Sequence, residues 1–340
     1  MATRKIFKTD KFTAYELEVF TRSLSLVVEP IDAFTQELPA IPVKVELKEW
    51  VGGRAVKSKH KPVRNLSGHY CYLELPTEEN GNAKRYSVDV SIDPAGNDWY
   101  FPANLAPDDL TIRNGVFDPA QHVANINLSV KPGYPFPQTA TLIYGTAPFF
   151  ISDGVDRAAE ILLSFARIIV SNQAGGDKLF ETKIDPSGSF VIFFRAAGVP
   201  AGKINIGLAV EVKGQPVIIE TVETEISEGE KKSVLFSVSG AAIGGKAVFV
   251  KNDGTNGEPE KPLANAQIAV IDEETDTTIF ETETDGKGCF AAFFEQSDIP
   301  DGRFKITLTG EVDGSPVTAE ASGLELNESE KKFVRLQATA

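Results

Sequence analysis

Three histidines, two cysteines and a surplus of carboxylates are the side chains of this 340-residue sequence best suited to metal or covalent chemistry. Their spacing does not assemble them. His60, His69 and His122 all fall before residue 131, and neither His-Glu-x-x-His nor Cys-x-x-Cys is present to hold zinc. There is no Gly-x-Ser-x-Gly elbow and no glycine-rich phosphate loop ending in Lys-Ser or Lys-Thr. His69 and Cys71 would share one face of an alternating strand but have no third group to orient them. Paired acids can hydrolyse glycosides, yet the densest run, Asp272 to Asp276, reads as a solvated turn. Asn252 to Glu258 offers oxygens for calcium without the spacing of a twelve-residue calcium loop. The chain is therefore expected to bind no cofactor or metal and to be no enzyme.

The elements that carry these residues are set by a duplication. Residues 145–238 and 245–338 align without a gap at an offset of 100, with 34 identities in 94 positions. What recurs is turn chemistry and apolar pattern. Phe180-Glu181-Thr182 returns as Phe280-Glu281-Thr282, Asp185, Gly188 and Phe190 return as Asp285, Gly288 and Phe290, and Glu230-Lys231-Lys232 returns as Glu330-Lys331-Lys332. Ile204, Ile206, Leu208 and Val210 alternate with Lys203, Asn205, Ala209 and Glu211, the period of a strand with one buried face. The unbroken run Phe190 to Phe194 reads instead as a strand covered on both sides.

The first third follows the same scheme more loosely. Leu24, Leu26 and Val28 alternate, as do Val43, Val45 and Leu47, and then Tyr86, Val88, Val90 and Ile92. Asn65 to Tyr70 stands where the later copies have Asp185 to Phe190, again a glycine followed two places on by an aromatic. Short strands at regular spacing with Gly and Pro between them predict an all-β chain of tandem antiparallel β-sandwich domains. The expected divisions are an arm at 1–21, a divergent sandwich at 22–131, a Pro-rich linker at 132–137, a sandwich at 138–238, a hinge at 239–244 and a sandwich at 245–340.

Two resemblances follow from particular motifs. Gly245 to Val250, Pro262 to Val270 and Thr284-Asp285-Gly286-Lys287-Gly288-Cys289-Phe290 resemble the carboxypeptidase regulatory-like, or transthyretin-like, β-sandwich family, which implies a scaffold and supplies no catalytic residues. The earlier copy departs from that pattern, with Leu162-Leu163 for Pro-Leu and Asp185-Pro186 for Asp-Gly. Gly68 to Pro76, Trp99 to Pro102 and Pro132 to Pro137 look like accessory proteins of phage-tail-like contractile injection particles. That likeness implies a structural or assembly component of such a particle. An adhesin or carbohydrate-binding module is the competing expectation, with Trp99, Tyr100 and Phe101 as its platform.

Charge narrows the partners. The net charge of −14 is concentrated at the end: residues 239–340 hold 9 basic and 19 acidic side chains. Such a surface argues against nucleic acid and anionic membranes, because phosphate contacts need clustered Lys and Arg. Protein subunits, including further copies of the chain, are the expected partners. Arg54, Lys57, Lys59, His60, Lys61 and Arg64 form one opposing basic cluster, read either as a solvated hairpin tip or as a contact for an acidic surface. Residues 1–21 are rich in apolar side chains, among them Phe7, Phe12, Tyr15 and Phe20, and are expected to pack either on a neighbouring subunit or on their own first domain. No apolar leader core opens the chain and no run of eighteen apolar residues occurs, so cytoplasmic synthesis is expected, with release as part of a particle. Cys71 and Cys289 lie in different segments and are read as buried free thiols. Without secretion, the Asn-x-Ser sequons at Asn65, Asn127 and Asn327 carry little meaning.

Overall fold

The computed structural model describes residues 6–8, 13–15, 23–51, 54–79, 82–92, 97–106, 110, 112, 122–172, 176–195, 198–250 and 260–339. It divides into two compact units, Met1–Val130 and Lys131–Ala340. The chain is all-β, as expected, and each unit is built from antiparallel sandwiches.

The first unit begins with a hairpin of β1 (Ile6–Lys8) and β2 (Thr13–Tyr15). One sheet then runs in the order β12 (Val123–Leu128), β3 (Leu24–Asp32), β7 (Tyr70–Leu73), β6 (Val63–Arg64). The other runs β11 (Ala103–Leu105), β10 (Arg85–Ile92), β4 (Val43–Val51), β5 (Arg54–Lys57), while β8 (Glu78–Glu79) and β9 (Asn82–Ala83) pair separately. The alternating residues Leu26, Val28, Val45, Leu47, Tyr86, Val88 and Val90 meet between the two sheets as its buried core. Tyr70 and Tyr72 cross that core, their hydroxyls donating to the carbonyls of Val43 (2.5 Å) and Val45 (3.4 Å) in the opposite sheet.

Within the second unit the first repeat pairs β16 (Ser189–Phe194), β13 (Thr141–Thr146) and β19 (Lys231–Leu235). Its second sheet runs β15 (Lys178–Lys183), β14 (Ala166–Asn172), β17 (Lys203–Val212), β18 (Gln215–Glu225). The second repeat places β24 (Cys289–Glu295) and β27 (Lys331–Thr339) beside β20 (Gly240–Val250), whose far end pairs with β21 (Lys261–Pro262). Its other sheet runs β23 (Thr278–Glu283), β22 (Gln267–Asp272), β25 (Phe304–Val312), β26 (Ser315–Leu324). Seven strands of the first unit, β3, β4, β5, β7, β10, β11 and β12, pair in the same order as the seven of the first repeat, while β6 has no counterpart there. In all three the first and last strands are parallel: β3 with β12, β13 with β19, β20 with β27.

The shared residues do mechanical jobs. Asp285 Oδ1 accepts the backbone N–H groups of Lys287 and Cys289, both at 2.8 Å, and Asp185 accepts those of Ser187 (2.9 Å) and Ser189 (3.0 Å). Asn65 does the same for His69 at 2.9 Å. Each turn then needs the left-handed conformation that its glycine adopts, φ 88° at Gly68, 76° at Gly188 and 73° at Gly288. The repeated Glu-Lys-Lys is likewise a turn device. Glu230 accepts from the N–H of Ser227 (2.7 Å) and Glu330 from that of Asn327 (2.8 Å). Lys232 and Lys332 reach back to the carbonyls of Glu225 and Glu325.

Cross-strand partners Gly145 and Phe190, and Gly245 and Phe290, explain why both members recur. Each phenyl ring lies over its glycine so closely that an added Cβ would sit 1.9 Å or 2.0 Å from the ring. The smallest residue makes the slot for one of the largest.

The two repeats of the second unit share a core. Ala242 and Ala291 of the second repeat belong to the same buried cluster as Ile143, Phe190 and Phe236 of the first. Between them lies α1 (Arg157–Phe165), a helix standing where the second copy has Gly257 to Asn265. Asp156 caps it by accepting the N–H of Ala159 (3.1 Å), and Glu160 complements the positive end of its dipole. Ala158, Ala159 and Leu162 form the buried face. The helix approaches β20 so closely that a Cβ on Gly244 would lie 2.7 Å from the Ala158 carbonyl oxygen. Phe149 meets Phe293 edge-on at 5.8 Å, and Lys331 donates to the Ile151 carbonyl at 3.2 Å. Residues 239–244, expected to be a hinge, thus contain the buried start of β20, with Ala241, Ala242 and Ile243 fully enclosed. The departure at Leu162-Leu163 also acquires its reason, since those residues are helical. On the other flank, Phe136 of the Pro-rich linker packs on Phe193 at 6.2 Å, which covers the outer side of β16 as its unbroken apolar run implied.

Replacing Gly245 by alanine is expected to overpack the Phe290 slot and cost about 1–3 kcal/mol in urea unfolding. Gly133→Ala, where an added Cβ meets nothing within 4 Å, is the matched control and should leave the midpoint near that of the parent.

Candidate functional site

The candidate groups stay apart in space as they do in sequence. His69 Nε2 lies 3.2 Å from Glu29 Oε1, and its ring and Asn65 are at the edge of hydrogen-bond distance (3.5 Å), so it is held by a surface pair and not poised on Cys71. Both cysteines are half-buried, not fully buried as expected, and both are free. Burial raises the pKa of each thiol, and at Cys289 the Asp285 carboxylate adds to the rise. A thiol with a raised pKa holds less thiolate at neutral pH and is a poorer nucleophile. Among the described residues no three His, Cys, Asp or Glu side chains come together to hold a metal ion. The calcium candidate Asn252 to Glu258 lies outside the described residues.

Trp99, Tyr100 and Phe101 do not form a platform. Tyr100 is fully enclosed and its hydroxyl donates to Asp32 Oδ2 at 2.7 Å, while Phe101 is 7% exposed. The reason is the bridge between Tyr100 and Val130, which turns the aromatic run into the core of the first unit. The Tyr100 and Phe101 rings are unavailable to a glycan, and the half-buried Trp99 is left without them as a platform.

The basic cluster is divided by its neighbours. Lys57 bonds to Glu46, which Lys44 also approaches at 3.1 Å, and the two lysines together hold the Glu46 carboxyl below its ordinary pKa. Lys59 and Lys61 are exposed; His60 is half-buried, with its N–H donated to Ser58 Oγ at 3.2 Å. Arg64 donates to the Gly68 carbonyl at 3.4 Å and stands 5.7 Å over the Tyr70 ring. Arg54 begins β5, with its side chain outside the described residues. Of the arm, Phe7 lies in β1 and Tyr15 in β2, while Phe12 and Phe20 fall outside the described residues.

A feature not anticipated from sequence is a cleft of about 470 Å³ at the seam of the two repeats. Val217 and Ile218 of β18 form one wall and Ile279, Phe280 and Phe293 of the second repeat the other. It continues past Ile219 and Glu295 into a polar trough lined by Glu220, Ser237, Ser239 and Gln296. Glu220 Oε1 accepts the Ser237 N–H at 3.0 Å, whereas its buried Oε2 meets no hydrogen-bond partner among the described residues. The signal was in the differences between the copies. Val217-Ile218-Ile219 has become Val317-Thr318-Ala319 in the second repeat, so the extra apolar surface belongs only to the strand beside the seam.

No family model matches this chain, and no curated protein matches it. Among solved structures it is similar to the Bacillus anthracis TIE protein, at 12% identity and a TM-score of 0.21, covering 99% of this chain and 57% of that one. This chain therefore spans less than two thirds of that protein's length. A minor pilin of Streptococcus agalactiae is similar at 12% identity and a TM-score of 0.21, over 58% of this chain and 95% of that one. Two B repeat units of the collagen binding protein of Staphylococcus aureus are similar at 11% identity and a TM-score of 0.19, over 94% and 74% respectively. No activity follows from likeness at this level.

Alkylation at neutral pH is expected to be slow at both Cys71 and Cys289 in the folded chain and to accelerate in denaturant, read by intact mass over time. Rapid labelling of either thiol before unfolding would contradict the inert role assigned to it.

Proposed function

We propose that this chain is a non-catalytic structural protein whose stacked β-sandwiches serve as a stiff scaffold in a larger protein assembly. The observation that carries this reading is the shared core of the second unit, where Ala242 and Ala291 complete the cluster around Ile143 and Phe190. Domains meant to move independently meet through small, polar surfaces; domains fused through a dry core resist bending. The helix α1 is what the first repeat contributes to that fusion, and Gly244 is what the second contributes.

Of the two finer readings, we favour an adhesin- or pilus-type scaffold over a subunit of a phage-tail-like contractile injection particle. The motifs that suggest the particle are occupied with folding: Tyr70 and Tyr72 span their sandwich, Tyr100 anchors on Asp32, and Tyr134 and Phe136 pack together at 4.7 Å. Core roles of this kind are open to any β-sandwich. Rigid stacking, by contrast, is the property that a projecting fibre needs. The preferred reading concerns the scaffold alone, since the enclosed aromatics give it no glycan platform.

Gly244→Glu is expected to push α1 off β20. Hydrogen exchange of the full chain in increasing denaturant should show β13–β19 and β20–β27 opening at one midpoint in the parent and at two in the variant. Two midpoints already in the parent would remove the stiff-scaffold reading. Immunogold electron microscopy of the native source separates the finer readings: label on surface fibres supports the first, label on tail-like particles supports the second, and label on neither removes both.

A further inference from the structure

We propose that the seam cleft and its trough form one groove that binds an extended peptide segment of a partner protein, with an aliphatic side chain seated in the cleft and a lysine or arginine in the trough. This goes beyond the scaffold reading, which stands on the shared core and not on the cleft.

The strand that makes one wall is built differently from its copy. In the pairing of β17 with β18, Ala209 lies opposite Ile218 and Leu208 opposite Glu220, so Ile219 is an extra residue and the strand bulges there. The second copy passes the same place without a break: Thr309 faces Thr318, Leu308 faces Ala319 and Thr307 faces Glu320. A bulge at a sheet edge re-aims side chains. Here it sets Glu220 opposite the fully enclosed Leu208 and takes its Oε2 out of solvent, whereas Glu320 is exposed. Oε1 is satisfied by the Ser237 N–H, but Oε2 meets no donor among the described residues. A buried carboxylate oxygen without a donor is costly, so it marks a place that a cation from outside would complete.

The rest of the groove says what carries that cation. Where Lys213 meets Glu281 across the seam at 3.1 Å, acid and base answer each other within the chain. The charged side chains lining the cleft and trough are Glu220, Glu295 and Asp298, all acidic. Two of them belong to residues 239–340, whose 9 basic and 19 acidic side chains set up a field that draws cations. A bare cation would leave the apolar wall wet, since Val217 and Ile218 stay 48% and 45% exposed. The matching ligand therefore carries an apolar side chain and a cationic one. Cleft and trough, about 470 and 660 Å³, share Ile219 and Glu295 and so run on as a groove, along which Ser237, Ser239 and Gln296 offer polar groups. An extended backbone presents an N–H and a C=O at every residue to meet such groups, which selects a peptide over a small amine.

Fluorescence anisotropy with the full chain tests this, using labelled, amidated peptides that carry an Ile-Val-Ile core in a Gly-Ser background and a lysine one, two or three positions beyond it. At least one spacing is expected to bind, and to bind more weakly as salt rises. Exchanging the lysine for norleucine, and separately Glu220→Gln in the protein, should each lower affinity about tenfold or more, the scale of a hydrogen bond to a charged group. Ile218→Ser, at a side chain already half in solvent, should lower it as well. Glu220→Gln should keep or raise the melting temperature, because the amide oxygen still accepts from Ser237 while the buried charge is gone. No binding at any spacing, equal binding by the norleucine peptides, or unchanged affinity in either variant would overturn the proposal. A lower melting temperature in Glu220→Gln would also overturn it, by showing that Oε2 is answered by a donor of its own chain. So would octylamine competing as well as the peptide, since the occupant would then be a small amphipathic amine. Failure of the peptides alongside a single opening midpoint in the parent removes the groove and leaves the stiff scaffold standing.

Discussion

The second unit depends on a contact that only a hydrogen atom permits. Where α1 lies on β20, Gly244 faces the backbone of Ala158, and any side chain would hold helix and strand apart. With the helix in place, Leu162 and Ala166 reach the core of the first repeat, and Ala242 and Ala291 close it from the other side. Lift the helix and that core loses one wall. Each fully enclosed side chain of Leu or Phe size contributes about 1.5–3 kcal/mol through burial, so the seam bears directly on the stability of the first repeat. The polar contacts around it, such as Lys213 with Glu281 at 3.1 Å, are exposed and contribute little beside the dry core.

Much of this architecture was legible because each repeat states it again. Asp285, Gly288 and Phe290 recur with Asp185, Gly188 and Phe190 since one residue ties the turn, the next bends it and the third fills a slot. Alternation at Ile204, Ile206 and Leu208 translated directly into buried positions. The role of Gly145 and Gly245 was hidden for a physical reason: these glycines are not in turns, and their partner rings are some forty-five residues away in the chain. The Glu-Lys-Lys triplets, read as part of the recurring turn chemistry, tie N–H groups and carbonyls at the turns.

The candidate surfaces were harder to read, because duplication draws attention to what is kept. α1 replaces Gly257 to Asn265 with Arg157 to Phe165, and Val217-Ile218-Ile219 stands against Val317-Thr318-Ala319. Both differences lie at the seam, on the side of the first repeat that faces the second. The Trp99 to Phe101 run misled for the opposite reason. Adjacent aromatics resemble an exposed platform, but a single bridge from Tyr100 to Val130 folds Tyr100 and Phe101 inward.

The parallel pairing of first and last strands, present three times, fixes the direction in which the chain travels. A chain whose first and last strands run the same way enters a sandwich at one end and leaves it at the other. Tension applied along the backbone then slides these strands past each other lengthwise. Their hydrogen bonds are loaded together in shear, whereas in a hairpin pulled at its open end they would break singly, in succession. The same pairing that orders the sheets therefore aligns the strongest direction of each sandwich with the path of an applied pull.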